Sequence, residues 1–328
     1  TLLIPLAEKQ GKKQLWNMGV ILWLAADLFV AGWRLNPTTD LALYGESTTQ
    51  IQQVKEDLGD GRLYISDTMQ DDLKFRRFFR FHDFTEIEDW RNLRETALPN
   101  MQLIDRIRSA NNFDPLQPGR YVQWMETLQV LDTPQWRQWL AWMDVDLVEQ
   151  IDASAPGGVR FARVDGGEKL WWYNCMLTVP DANAALAVLR AGDVGERLVL
   201  EGTPPDANRA CEPGSKAQLT TLVDRPNRKV YSIQVNTEGW LMISQTRYPG
   251  WLASVDGERV DIYSANYLFM GVSIPAGTHV VEMVYRPISF IFGLLLSILV
   301  GITLLAWKAG WLAVIFRLKL KKSNRIGA

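Results

Sequence analysis

Two long apolar stretches frame a middle that alternates between apolar and polar positions on shorter periods. Ile288 to Trp307 holds no charged residue. At about 1.5 Å per residue that run reaches about 30 Å, the thickness of a bilayer's hydrocarbon core. It predicts a membrane-spanning helix over 288–307, with Phe316 the outer limit of any extension, and a basic tail over 317–328. The tail carries Arg317, Lys319, Lys321, Lys322 and Arg325, whereas Arg286 stands alone on the other side. This bias places the C-terminus in the cytoplasm. Tyr285, Trp307 and Trp311 sit near the ends, where aromatic rings favour the interface. A buried core helix is the competing reading, and the length of the uncharged run argues against it.

The second stretch, Leu15 to Trp33, has Asp27 as its only ionisable residue. Lys9, Lys12 and Lys13 precede it and only Arg34 follows closely. A span over 15–33 therefore has its N-terminal flank inside. A signal peptide would also combine a basic start with an apolar run. However, the run continues to Trp33 with no clear small-residue cleavage site. Residues 1–14 read as a cytoplasmic segment or, in TLLIPL, as the end of an earlier span, so the chain is expected to be part of a longer polypeptide. Asp27 lies near the outer end of its span and reads as a membrane-boundary acid; an acid at that depth is otherwise often functional.

Residues 34–228 suggest a mixed α/β region. Ser47 is placed to cap a helix through Leu58, closed at Gly59-Asp60-Gly61. Arg62 to Ser66 follows as a strand. Met101 to Ala110 and Gly119 to Leu131 look helical. Thr133-Pro134 starts another helix, with Trp136, Trp139, Leu140, Met143 and Leu147 at helical spacing, a stripe that reads as core rather than as a sugar-stacking face. Val159 to Val164 and Lys169 to Thr178 flank a Gly166-Gly167 turn. Lys74 to Phe84 mixes cations with phenylalanines; one buried aromatic face explains it better than binding to lipid or an anion.

Residues 229–286 are strongly β. Short strands at Val230–Val235, Leu241–Gln245, Leu252–Val255, Val260–Tyr263, Leu268–Ile274 and His279–Tyr285 are divided by turns at Glu238-Gly239, Asp256-Gly257 and Ala276-Gly277. Such spacing suggests an antiparallel sandwich or jelly roll. The fold class is thus an α+β membrane protein: two transmembrane helices flank an extracytoplasmic domain that ends in a β-sandwich.

The whole chain has a formal charge of −2. Setting aside nine cations and two acids in or beside the spans leaves 26 cations against 35 acids, a charge of −9 for the region between them. That argues against nucleic acid as a partner. Cys175 and Cys211 are the only cysteines, and on an oxidising side they could pair. No P-loop, dinucleotide fingerprint or Gly-x-Ser-x-Gly elbow occurs. His82 and His279 lie far apart and the cysteines lack ligand spacing, so no metal site is expected. Asp71-Asp72 and Glu86/Glu88/Asp89 read as solvated acids.

The closing section contains YPGW at Tyr248 to Trp251, VDG at Val255 to Gly257, Asn266, Phe269-Met270-Gly271-Val272, PAG at Pro275 to Gly277, His279, and Tyr285-Arg286-Pro287 before the final span. This string resembles the C-terminus of YfhO-type bacterial membrane proteins. Earlier landmarks are similar too: Ala26-Asp27-Leu28, Asn36-Pro37, and Asn112-Phe113-Asp114-Pro115-Leu116 with Arg120-Tyr121. The last group follows a "GYDPL…RY" pattern, with Asn112 where glycine is usual. Lys169 to Pro180 resembles a "VYEN…LPRA" strand but lacks its arginine.

The resemblance implies a multi-pass bacterial cell-membrane protein similar to GT-C glycosyltransferases. Such enzymes transfer sugar from a polyprenyl-phosphate carrier to an extracytoplasmic acceptor, lipoteichoic acid among them. The lipid bilayer, a lipid-linked sugar and an envelope glycan would be the partners. Residues 34–286 would be extracytoplasmic. The catalytic acid of that class lies in an earlier loop, so no catalytic residue and no cofactor is expected within this chain. Most motif residues also suit turns and packing. An alternative is a non-enzymatic, membrane-anchored module that binds glycan or protein through Trp171, Trp172, Tyr248 and Trp251. A purely structural scaffold is a third reading.

Overall fold

A computed structural model describes residues 13–33, 41–45, 47–78, 90–111, 114, 116–164, 166–192, 194–204, 211 and 215–323. Several positions noted above lie outside these residues: 1–12, 34–40, 79–89, 112–113, 115 and 324–328. In chain order the elements begin with α1 (Lys13–Gly32), α2 (Thr49–Leu58), β1 (Arg62–Tyr64), α3 (Asp67–Asp71), α4 (Trp90–Glu95), α5 (Gly119–Leu128) and α6 (Thr133–Trp142). Then come β2 (Val145–Ile151), β3 (Val159–Arg163), β4 (Leu170–Tyr173), β5 (Met176–Val179), α7 (Ala182–Ala191), β6 (Leu198–Glu201) and β7 (Ala217–Arg225). The last group is β8 (Arg228–Val235), β9 (Gly239–Thr246), β10 (Trp251–Val255), β11 (Glu258–Val260), β12 (Tyr263–Ala265), β13 (Phe269–Ile274), β14 (Gly277–Tyr285) and α8 (Ile288–Ser323).

The chain forms two compact units. The first comprises Thr1–Gly59, Ile65–Arg108 and Glu149–Phe161. It contains α1, whose window Leu15–Gly32 has a mean hydropathy of 1.6 and no buried residue. Thr48, not Ser47, caps α2: its side chain accepts the Ile51 N–H. Ser47 is engaged elsewhere, donating its hydroxyl to Asp105 Oδ1 at 2.5 Å. Arg94 holds the same carboxylate with two charge-assisted bonds, Nε to Oδ2 at 2.9 Å and Nη2 to Oδ1 at 2.6 Å. Asp72–Phe78 forms a π-helix that covers the first part of the cation–phenylalanine stretch, with Phe75 and Arg76 exposed.

The second unit comprises Asp60–Tyr64, Ser109–Val148 and Ala162–Ala328. Asp132 caps α6 by accepting the Gln135 N–H at 3.0 Å, which moves the start one residue before the expected Thr133 cap. The tryptophan stripe is core: Trp139 stacks on Trp124 of α5 with centroids 4.0 Å apart, and Phe269 meets Trp124 edge-on. Leu147, placed on the same helical face by spacing, is buried on β2 instead. The expected helix at Met101–Ala110 is not formed. Only Met101–Leu103 makes a short 3-10 turn, and the Ala110 N–H donates to Leu63 O of β1 at 2.8 Å.

Two sheets dominate this unit: a six-stranded one ordered β4-β9-β13-β12-β6-β5 and a five-stranded one ordered β11-β10-β14-β8-β7. The run GWLMIS of β9 is buried on both faces. Unbroken apolar runs of this kind suit strands covered on two sides, whereas β8 and β14 alternate and bury one face. Leu241, Ile243, Met270 and Val272 share one core with Ile233, Val281 and Met283 of the five-stranded sheet. Trp240, Met242 and Phe269 face the other way and pack with residues of α5, α6 and α7.

The sandwich reaches beyond the expected 229–286. Lys169–Thr178 is not one strand: it divides at Asn174-Cys175 into β4, antiparallel to β9, and β5, parallel to β6. The crossover between β5 and β6 is α7, capped by Asp181 and ended by Gly192 at φ 74°. Cys175 and Cys211 form a disulfide with Cα atoms 4.8 Å apart. β14 leads through Arg286-Pro287 directly into α8. The first part of that helix, Ile288–Lys308, has a mean hydropathy of 2.6 and no buried residue. Apolar surface this continuous needs a cover that the chain's own core does not supply.

Candidate functional site

The site forms between the turn that joins β9 to β10 and the end of β11, with Gly250 against the Tyr285–Pro287 link into α8. Arg247 follows the last residue of β9, and its N–H donates to Leu268 O at 2.8 Å. The chain then turns through Tyr248-Pro249-Gly250 into β10. Gly250 has φ 110°, a conformation that L side chains rarely adopt. A methyl group there would also lie 3.0 Å from Pro287 Cα and 3.0 Å from the Tyr285 ring, so this turn needs glycine twice over. The Arg286 N–H donates to Gly250 O at 2.7 Å. Trp251 pairs across the sheet with Tyr285, ring centroids 5.3 Å apart.

These constraints leave a cavity of about 250 Å³ beside the turn. Arg247 to Leu252 and Arg259 to Ile262 line it. Arg247, Tyr248, Arg259 and Asp261 are exposed, and Trp251 is half-buried. Arg247 Nε donates to Ile262 O at 3.5 Å, a long bond. The cavity thus offers two guanidinium groups and one carboxylate between aromatic rings.

The motif string resolves into separate clusters. At the far end of β10, Asp256 and Gly257 adopt φ 52° and 87°, the pattern of a type I′ hairpin. Asp256 accepts the Val280 N–H at 2.8 Å through Oδ1 and meets His279 Nδ1 at 2.7 Å through Oδ2. The backbone N–H of Val280, then His279, holds the Asp256 carboxyl below the usual range. Asn266 and Tyr267 turn with φ 41° and 66°, and buried Asn266 Oδ1 accepts the Val199 N–H at 3.0 Å. Gly271 lets β12 and β6 approach: an added methyl would lie 3.1 Å from Ala265 Cβ. Arg120 grips Glu201 with two bonds of 2.6 and 2.8 Å and also donates to Tyr267 O. Tyr121 donates to Ala110 O at 2.7 Å. All of these contacts hold backbone or bury side chains.

Of the four aromatic binding candidates, Tyr248 and Trp251 come together at the cavity. Trp171 and Trp172 do not: both lie half-buried on β4. Their indole N–H groups donate to Glu168 O at 2.9 Å and Ser215 Oγ at 2.8 Å. Asp27 lies exposed on α1, in the first unit. Arg247, Arg259 and Asp261 were not singled out by sequence reasoning. Their signal was present as Arg247 just before the YPGW turn and as Arg259 and Asp261 inside the VDGERVD hairpin.

The family described as bacterial membrane protein YfhO matches residues 207–297, from before β7 into the start of α8. Over that segment the chain is similar to YfhO-type bacterial membrane proteins. No curated protein and no solved structure matches the chain. The matched YfhO segment contains the whole cavity and the residues that join it to the apolar helix.

Proposed function

We propose that this YfhO-type chain is the C-terminal portion of a polytopic glycosyltransferase of the GT-C kind. It would use a polyprenyl-phosphate sugar as donor and decorate an envelope polymer such as lipoteichoic acid. In this reading α1 and α8 span the bilayer with their outer flanks cytoplasmic, and residues 34–286 lie outside. The catalytic acid would belong to an earlier extracytoplasmic loop, and the sandwich would shape the acceptor side of the membrane site. The observation that carries this reading is the YPGW-to-YRP string running without a break into an uncharged span, inside the segment matched to the family.

Deleting the gene and analysing envelope glycans tests it. The expected result is loss of a specific sugar from an extracytoplasmic polymer, restored by the intact gene. Unchanged envelope sugars would contradict the transferase reading. They would favour the second one, an anchored binding module whose contacts are Tyr248 and Trp251 at the cavity.

A further inference from the structure

We propose that the cavity between Arg247–Leu252 and Arg259–Ile262 seats the phosphodiester headgroup of an anionic phospholipid from the surrounding membrane. This rests on the apolar helix at Ile288–Lys308 being in the bilayer, not on the transferase reading.

Position is the first argument. Gly250, a lining residue, packs against Pro287 and accepts the Arg286 N–H, and the apolar window begins at the next residue, Ile288. Hydrocarbon core and whole bilayer differ by about 10–15 Å, so the headgroup layer is about 5–7 Å deep on each side. A cavity fastened to the residue before the span lies within that layer.

Chemistry is the second argument. The guanidinium group is planar and weakly hydrated, and it presents paired donors that match two phosphate oxygens. Two such groups line the cavity against one carboxylate, Asp261. The excess of positive charge runs against the acidic balance of the region between the spans. It favours a headgroup with net negative charge over a zwitterionic one. Asp261 offsets one of the two positive charges and leaves the lining with one cation in excess. Tyr248, Trp251 and Tyr285 supply the aromatic rim that interfacial sites use, with apolar faces toward acyl chains and polar edges toward water. The docked headgroup would hold the sandwich at a fixed height on the membrane.

The test uses the full chain in nanodiscs of equal parts phosphatidylglycerol and phosphatidylcholine, followed by native mass spectrometry. The basic tail also attracts anionic lipid, so the comparison between variants is the readout. Wild-type chain should retain one more phosphatidylglycerol than R247Q/R259Q, with phosphatidylcholine unchanged. Arg137→Gln, an exposed cation elsewhere, should match wild type. Millimolar inorganic phosphate should leave the lipid in place. Equal phosphatidylglycerol counts, or a parallel loss of phosphatidylcholine, would overturn the proposal. Displacement by inorganic phosphate would show a free-anion site and overturn the lipid assignment. Unchanged thermal unfolding shows that the double variant is folded; if it is not, R259Q alone, on the exposed hairpin, carries the same comparison.

Discussion

At the residue scale the first unit turns on Arg94 and Asp105, whose side chains are 4% and 2% exposed. Burial opposes the charged carboxyl, but hydrogen bonds from Arg94 and then Ser47 outweigh it, so the Asp105 pKa sits below the ordinary range. A depressed carboxyl pKa stabilises the fold above the unfolded value of about 3.9 and loses that contribution as pH falls through the lower folded value. Asp105→Asn removes the carboxylate that takes two bonds from the buried Arg94 guanidinium and should cost about 3–5 kcal/mol at pH 7. Denaturant unfolding between pH 3 and 7 checks this: the gap between wild type and variant should shrink below about pH 4. A gap that stays constant would show that ionisation plays no part. Such a pair was not legible in the sequence, because nothing local says which acid Arg94 will meet. The same holds for Arg120 and Glu201, 81 residues apart. The Asp256-Gly257 hairpin was legible, since its backbone demand is met by the two residues themselves.

At the element scale, legibility followed the range of the forces involved. The strands of the C-terminal region and the two apolar helices were readable because alternation, turn residues and uncharged length are local signals. The tryptophan stripe was readable as core for the same reason. Met101–Ala110 failed because pairing with β1 outcompetes the helical pattern at its end. Lys169–Thr178 failed because its two halves join different neighbours. The intervening residues carry the disulfide, which ties the start of β5 to Cys211 across 36 residues. Closing a loop of that size restricts the unfolded chain and contributes about 2–4 kcal/mol. The double change Cys175→Ala and Cys211→Ala should therefore lower the unfolding temperature, with no free thiol detected in the native wild type before reduction. Two titratable thiols in native protein, or no change in stability, would contradict the bridge. The cavity was half legible: its aromatic rim stood out in the motif. Its cations did not, because only the fold brings Arg259 back beside Arg247.

At the scale of the whole molecule, the account depends on orientation. In the proposed topology α8 lies in the bilayer, the sandwich whose last strand runs directly into it stands at the membrane surface, and the cation bias around both apolar helices would place it outside the cell. An oxidising exterior suits the disulfide, and an outer-leaflet headgroup is what the cavity would meet. The direct measurement is labelling with a membrane-impermeant maleimide in intact cells, using Glu258→Cys on the exposed β10–β11 hairpin and Ser323→Cys at the end of α8. The account predicts that the Glu258→Cys chain is labelled before lysis and the Ser323→Cys chain only after it. The reverse pattern would put the sandwich in the cytoplasm and contradict both the topology and the envelope function built on it.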